Sequence, residues 1–175
     1  MDFPNHPALV NMLDNTEPGF LSIVKQRTRW YKGAGEITLL FHKNQLVGIS
    51  CVEQADMHPD LSVGGIRCWI HRDHRTQRQA STYLLKSNLE WSQRAGKAGM
   101  LLTFNDYNKK IYSAIKRKTQ GGAVSFGGIW SDWWDDCLVM PAPLLIRYTP
   151  QWCILKPIDY TRANIIYKTL CEAVR

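Results

Sequence analysis

The feature that most constrains the fold is a run of four segments within residues 62–118. An apolar stretch at 63–70 leads into a short basic turn at 71–79, helical spacing continues to Gly96, and a second apolar stretch follows at 100–104. A strand that enters a helix through a basic turn brings backbone N–H groups and the positive helix end together, which suits a phosphate group. Because parallel strands need a long crossover connection, the pattern predicts two neighbouring strands of one sheet joined by a helix.

The segment ahead of this core has the pattern of a two-stranded hairpin. Apolar and polar residues alternate at 36–41 and at 46–52, and the polar stretch 42–45 between them predicts the turn. The strand that follows contains Gly64 and Gly65. Glycine weakens the interior of a strand, and where it occurs there it commonly marks a bulge or a place where another group comes close to the backbone.

The remaining elements are predicted from spacing and turn residues. Helical spacing predicts two short helical pieces within 7–25 and a helix at 108–118 with Ile111, Ala114 and Ile115 inward. Its lysines and arginine are predicted to face solvent: Lys109, Lys110, Lys116 and Arg117. Short strands are predicted at 137–140, 144–148 and 152–155, and a last helix begins at a cap formed by Asp159 or Thr161.

Composition bounds the class of protein. A chain of 175 residues with 45% hydrophobic and 21% charged residues is predicted to form one globular domain, 1–175. It has no apolar run near the roughly 18 residues of a membrane span and no secretory signal, so a cytoplasmic location is expected, or host cytoplasm or virion if the source is viral. Five scattered cysteines without a C-x-x-C pair predict reduced, mostly buried thiols. A formal charge of +7 suits an anionic partner.

Residues 70–81, with the sequence IHRDHRTQRQAS, resemble the donor-binding motif of the GNAT acyltransferases. That family places a signature R-x-x-G-x-G/A between a strand and a helix that carries a paired leucine. Arg75 and Ala80 match the first and last positions of the signature, whereas Arg78 stands where the family has glycine. The leucine pair is matched at 84–85.

The resemblance implies an α/β (α+β) fold with a mixed, mostly antiparallel twisted sheet and helices on both faces. It also implies acetyl-CoA as the donor and N-acyl transfer as the activity. Asn105 and Tyr112 match the family's Asn…Tyr helix, which makes Tyr112 the candidate acid that protonates the departing thiolate. The candidate donor-binding residues are Ile70, Arg75, Gln77, Arg78, Gln79, Ala80, Ser81 and Asn105.

The general base stays unassigned in this resemblance. Many members of the family carry a base carboxylate on the third strand, but the corresponding run at 64–68 reads GGIRC. Three carboxylates remain that could act through water: Glu53, Asp56 and Asp60. The family's Gly-Phe after the helix tyrosine is also replaced, by the sequence SAIKR at 113–117.

Two classes of function follow from these matches and departures. One is an acetyl-CoA-dependent N-acyltransferase of unknown acceptor. The other is a non-catalytic GNAT-fold protein that acts as an interaction or assembly component, for example of a phage virion. Arg78 and the missing base favour the second. A partner surface is then predicted around Trp130, Trp133 and Trp134, because aromatic side chains anchor protein interfaces, and a buried core role for these residues is equally open.

A nucleic-acid interface and a metal site have weaker support in the sequence. Nucleic-acid binding rests on the net charge and on the basic, aromatic stretch at 27–32, and no recognition motif accompanies it. Cys68, His71 and His74 are metal-ligand residue types, but a strand followed by a turn would point them in different directions. No metal site is predicted.

Overall fold

The computed structural model describes Pro7 and residues 35–75, 78–121, 134–141 and 152–174. The chain divides into two compact units, of which the first comprises residues 1–53 and 65–91 and the second comprises 54–64 and 92–175. The single domain 1–175 therefore stays a prediction, and each unit is described by itself. The predicted helical pieces within 7–25, the stretch 27–32 and the strand at 144–148 lie outside the described residues, apart from Pro7.

The predicted β-hairpin is confirmed in the first unit. Strand β1 (Gly35–His42) pairs antiparallel with β2 (Gln45–Gln54). The two residues between them, Lys43 and Asn44, both have positive φ values, of 47° and 62°. A two-residue turn of this left-handed type matches the twist of the strands it joins, which is why a polar pair such as Lys-Asn closes the hairpin.

Helix α1 (Arg78–Arg94) packs on the hairpin through both apolar and polar contacts. Leu84 is fully buried. The amide Nδ2 of Asn88 donates a buried hydrogen bond to Ser50 Oγ at 2.7 Å, and Ser87 Oγ lies 2.8 Å from Thr38 Oγ1. Buried polar groups are costly unless they are hydrogen-bonded, so these contacts define one orientation of the helix on the strands.

The second unit contains the predicted parallel pair. Strand β3 (Leu61–Ile70) pairs parallel with β4 (Gly99–Phe104) over four residue pairs, from Leu61 with Gly99 to Gly64 with Leu102. A Cβ on Gly64 would lie 3.0 Å from Met100 Cγ and closer still to its sulfur, which confirms the predicted close approach. The next residue, Gly65, has a φ of +69°, a conformation that glycine adopts without steric cost.

The other elements of the second unit surround β4 and β6. Strand β6 (Trp152–Pro157) pairs antiparallel with β4 and with the short β5 (Leu138–Val139). The six strands follow the order β1-β2-β3-β4-β6-β5 in one mixed sheet, in which the parallel β3–β4 pair stands among antiparallel pairs. With its helices, the sheet confirms the predicted α/β fold class. Helices α2 (Lys109–Thr119) and α3 (Tyr160–Glu172) both contact β6.

Three side chains of the second unit test predictions made from the sequence. Asp159 caps α3, as its carboxylate accepts the backbone N–H of Arg162 at 3.0 Å. The inward prediction for Ile111 is wrong, because Tyr112 and Ile115 occupy the buried face of α2 and Ile111 is 48% exposed. Trp134 is buried, which agrees with the core role that the sequence leaves open for it; Trp130 and Trp133 lie outside the described residues.

None of the helices in the described part of the chain is both long and apolar enough to cross a membrane.

Candidate functional site

The basic turn after β3 is held by its own first residue. The backbone N–H of His71 donates to Val47 O at 2.8 Å, which ties the turn to β2. The imidazole Nδ1 of His71 then accepts the N–H of Asp73 at 3.4 Å and starts a single 3-10 turn, Arg72–His74. The sequence therefore forms a capped turn at this point instead of continuing the strand.

Arg75, the first position of the family signature, is fixed by a contact within the turn. Its Nε donates to the carbonyl of Ile70 at 2.8 Å, and Ile70 is the last residue of β3. The bond holds the guanidinium at the end of the strand, close to where α1 begins. The structure thus brings together two of the predicted donor-binding residues, Ile70 and Arg75.

Four further predicted residues form the first turn of α1. Arg78 is its first residue, Gln79 is exposed, Ala80 is buried and Ser81 is half-buried. The first turn contains no acidic residue. Because the N-terminal end of a helix carries partial positive charge on its unpaired N–H groups, a first turn without carboxylates is open to an anion. Gln77 lies outside the described residues.

Three histidine rings lie close together at this turn and the neighbouring end of β1. The rings of His42 and His74 lie 5.3 Å apart, and those of His71 and His74 lie 6.2 Å apart. Arg72 is strongly exposed, and its Nε lies 3.6 Å from Asp73 Oδ1. Exposed pairs of this kind contribute little to stability, so this contact is not what holds the turn.

Asn105 and Tyr112 lie in the second unit, after β4. The backbone N–H of Asn105 donates to Asn108 Oδ1 at 2.7 Å, and the carbonyl of Asn105 accepts the N–H of Asn108 at 3.2 Å. These two bonds close the 3-10 turn Asp106–Asn108 and set the direction in which α2 leaves the strand.

Tyr112 lies on the buried face of α2 and is 8% exposed. Its ring lies 5.8 Å from that of Phe104 and stacks on Trp152 at 5.9 Å with 29° between the planes. Phe104 and Trp152 are themselves partners in the β4–β6 ladder. Burial, and to a lesser degree the nearby thiol of Cys153, raises the pKa of Tyr112 above its ordinary value of 10. An ordinary phenol is already protonated at neutral pH, and the raised pKa of Tyr112 means that its proton is held more tightly still.

Lys109 and Trp152 form a contact that the sequence did not indicate. Lys109 Nζ lies 4.8 Å from the centroid of the Trp152 ring, within the range of a cation–π interaction. Lys109 is exposed, as predicted, and its ammonium contacts an aromatic ring. The sequence shows only that Lys109 and Tyr112 are three residues apart and so share a helix face, and it does not indicate the partner Trp152.

The carboxylates that could act as a base remain unassigned. Asp60 Oδ2 lies 3.0 Å from Arg162 Nη2, and the hydrogen bond from Arg162 lowers the pKa of that carboxyl. Lowering the pKa makes Asp60 a weaker base, which fits a structural contact with α3 better than proton abstraction. Among the residues that the structure describes, no group of three His, Cys, Asp or Glu side chains is placed to hold a metal ion.

Solved structures similar to this chain are GNAT acetyltransferases. An acetyltransferase from Streptococcus agalactiae matches with a TM-score of 0.59 at 12% identity, over 90% of this chain and 96% of the other. A GNAT-family acetyltransferase from Staphylococcus aureus matches with a TM-score of 0.52 at 12% identity, over 85% and 88%. By sequence, no family model and no curated protein matches. The chain has the GNAT fold.

Proposed function

We propose that this chain is an acetyl-CoA-dependent N-acyltransferase of the GNAT type. The observation that carries the proposal is the start of α1, a basic strand-to-helix turn whose first helical turn has no carboxylate. It lies at the chain position where the resembling family binds the diphosphate of its donor. The GNAT fold of the chain supports the same function.

The residues at this turn fit an acyl-CoA donor. The backbone N–H groups of the first turn of α1 can donate to a diphosphate, as helix N-termini commonly do. Ala80, in this first turn, is small and buried, so it adds no bulky exposed side chain at the start of the helix. Arg75, held by Ile70 O, adds a cation beside them.

Tyr112 is the proposed general acid. Acetyl-CoA, when bound, supplies an acyl group activated as a thioester. Amine acylation also requires a proton for the departing thiolate. Tyr112 carries a phenolic proton at neutral pH, as tyrosines ordinarily do, and its ring is oriented by Phe104 and Trp152. Burial raises its pKa, so the proton is held more tightly than on an exposed phenol.

The donor site is tested by a change of charge without a change of shape. Gln79→Glu places a carboxylate in the exposed first turn of α1, where a negative charge favours the helix but repels a diphosphate. We expect acetyl-CoA to bind about tenfold more weakly to this variant, or worse, which corresponds to ~1.4 kcal/mol. Isothermal titration calorimetry gives the affinity.

The matched control is Gln93→Glu, which makes the same exchange at the exposed far end of the same helix. We expect wild-type affinity for this variant and a melting temperature for Gln79→Glu no lower than that of the wild type. Equal affinities for all three proteins would overturn the proposed donor site. A wild-type protein that shows neither heat nor a thermal shift with acetyl-CoA would remove the enzymatic function and favour the interaction component.

A further inference from the structure

The ring of Trp152 contacts both Tyr112 and the ammonium of Lys109. Trp152 is half-buried at the start of β6, and its ring stacks on the proposed acid Tyr112. The ring also has an ammonium next to it, because Lys109 Nζ lies 4.8 Å from the ring centroid. Because the ring face of tryptophan is the best aromatic partner for a cation, this position is suited to bind one.

We propose that the ring of Trp152 is the binding position for the ammonium group of the acceptor, an alkyl amine, and that Lys109 occupies this position when no acceptor is bound. The proposal depends on the proposed function only in naming the ammonium as an acceptor. An alkyl-amine acceptor arrives in water as an ammonium, and its nitrogen can attack the thioester only after it has given a proton to solvent water. The attack takes place close to the acid that serves the leaving group. The stack with Tyr112 places the ring of Trp152 next to that acid.

Lys109 itself defines the class of ligand. Its side chain is four methylene groups that end in an ammonium, so a primary alkylammonium reproduces the chemistry that already contacts the ring. Lys109 is the first residue of α2 and is exposed, so it can leave the ring without disturbing the buried face of the helix. An incoming ammonium therefore competes with a cation of the protein's own.

Charge around the ring decides how strong this competition is. Lys110, Lys116 and Arg117 are also exposed on α2 and disfavour any incoming cation. Because these side chains are exposed, salt weakens their repulsion of an incoming cation. Removing Lys109 both vacates the ring and removes the nearest like charge, so this single change has a favourable effect on ammonium binding.

The experiment measures binding without any acyl donor. The probe is n-butylammonium, titrated into the protein while the indole N–H signals are followed by NMR, with the Trp152 signal assigned by its loss in Trp152→Phe. We expect Lys109→Ala to bind the probe about three- to fivefold more tightly than the wild type, with a shift of the Trp152 signal. Lys109→Arg, which keeps a cation at this position, is expected to behave as the wild type.

Two controls make the result specific. Lys110→Ala removes the neighbouring exposed charge and is expected to bind the probe like the wild type. The neutral isostere n-butanol is expected to leave the Trp152 signal unmoved in all variants. Equal binding by Lys109→Ala and wild type, an unmoved Trp152 signal in Lys109→Ala, or an equal response to n-butanol would overturn the proposal. Because no acetyl-CoA is present, a negative result in this titration is distinct from failure of the donor site.

Discussion

Gly64 shows how one missing side chain sets the spacing of two strands. It is the last residue of β3 in the parallel ladder with β4, and the side chain of Met100 fills the space where its Cβ would be. Met100 is fully buried. A methionine can change its rotamer, but at this position it has no solvent to move into.

We expect Gly64→Ala to lower the free energy of unfolding by about 1 to 3 kcal/mol, because the added methyl group overpacks the contact with Met100. Urea denaturation measures the change. The control is the same substitution in a Met100→Ala background, where the space is open and the cost should largely disappear. An equal cost in both backgrounds would mean that the contact with Met100 is not the cause.

At the scale of elements, the segment before β5 is attached to the C-terminal part of the chain by charge. Lys156 of β6 lies 2.5 Å from Asp136 Oδ1, and Tyr160 of α3 donates to the other oxygen of the same carboxylate. Both ionic side chains are largely buried, at 11% and 22% exposure. A second pair, Lys118 with Asp135 at 2.6 Å, joins the segment to α2 but leaves its carboxylate 54% exposed.

The two pairs allow a matched comparison. We expect Lys156→Met to cost about 2 to 3 kcal/mol in urea denaturation, because it leaves the half-buried Asp136 carboxylate without its cation. Lys118→Met, the same exchange at the more exposed pair, is expected to cost less than about 1 kcal/mol. An equal loss of unfolding free energy in both variants would show that the burial of a pair does not determine how much it contributes to stability.

Elements whose signal is local were predictable from sequence. The β1–β2 hairpin and α1 follow from short-range alternation and helical spacing, and the family signature at Arg75 located the basic turn. The face of α2 was not fully predictable, because both Ile111 and Tyr112 are apolar and only tertiary packing decides which is buried. The contact of Lys109 with Trp152 joins residues far apart in sequence, and no local sequence pattern predicts such a pair.

At the scale of the whole molecule, two buried thiols link stability to alkaline pH. Burial raises the pKa of Cys137 and of Cys153 to about 12, from 9.0 for an ordinary thiol. Between these values the unfolded chain loses thiol protons that the folded chain keeps. The stability that the neutral thiols contribute is therefore present below pH 9 and is lost as the pH rises above it.

We expect the free energy of unfolding to fall above pH 9 by up to about 1.4 kcal/mol per pH unit for each of the two thiols. Urea denaturation between pH 8 and 11, under reducing conditions, gives this slope. Cys153→Ala lowers the overall stability by opening a cavity. The effect that tests the prediction is on the pH dependence: above pH 9 the free energy of unfolding should fall less steeply than in the wild type, by the contribution of one thiol. A slope identical to that of the wild type would show that Cys153 does not titrate in this way.

The division of the chain into two units has a consequence for dissecting it. The chain passes from one unit to the other after residues 53, 64 and 91, and the second of these passages falls inside β3. No single cut, by protease or by a stop codon, can therefore release either unit whole. A fragment that ends at residue 91 would keep 54–64 without β4, its partner in the ladder, and would present an unpaired strand edge prone to aggregation. Isolating the first unit would instead require splicing residue 53 to residue 65.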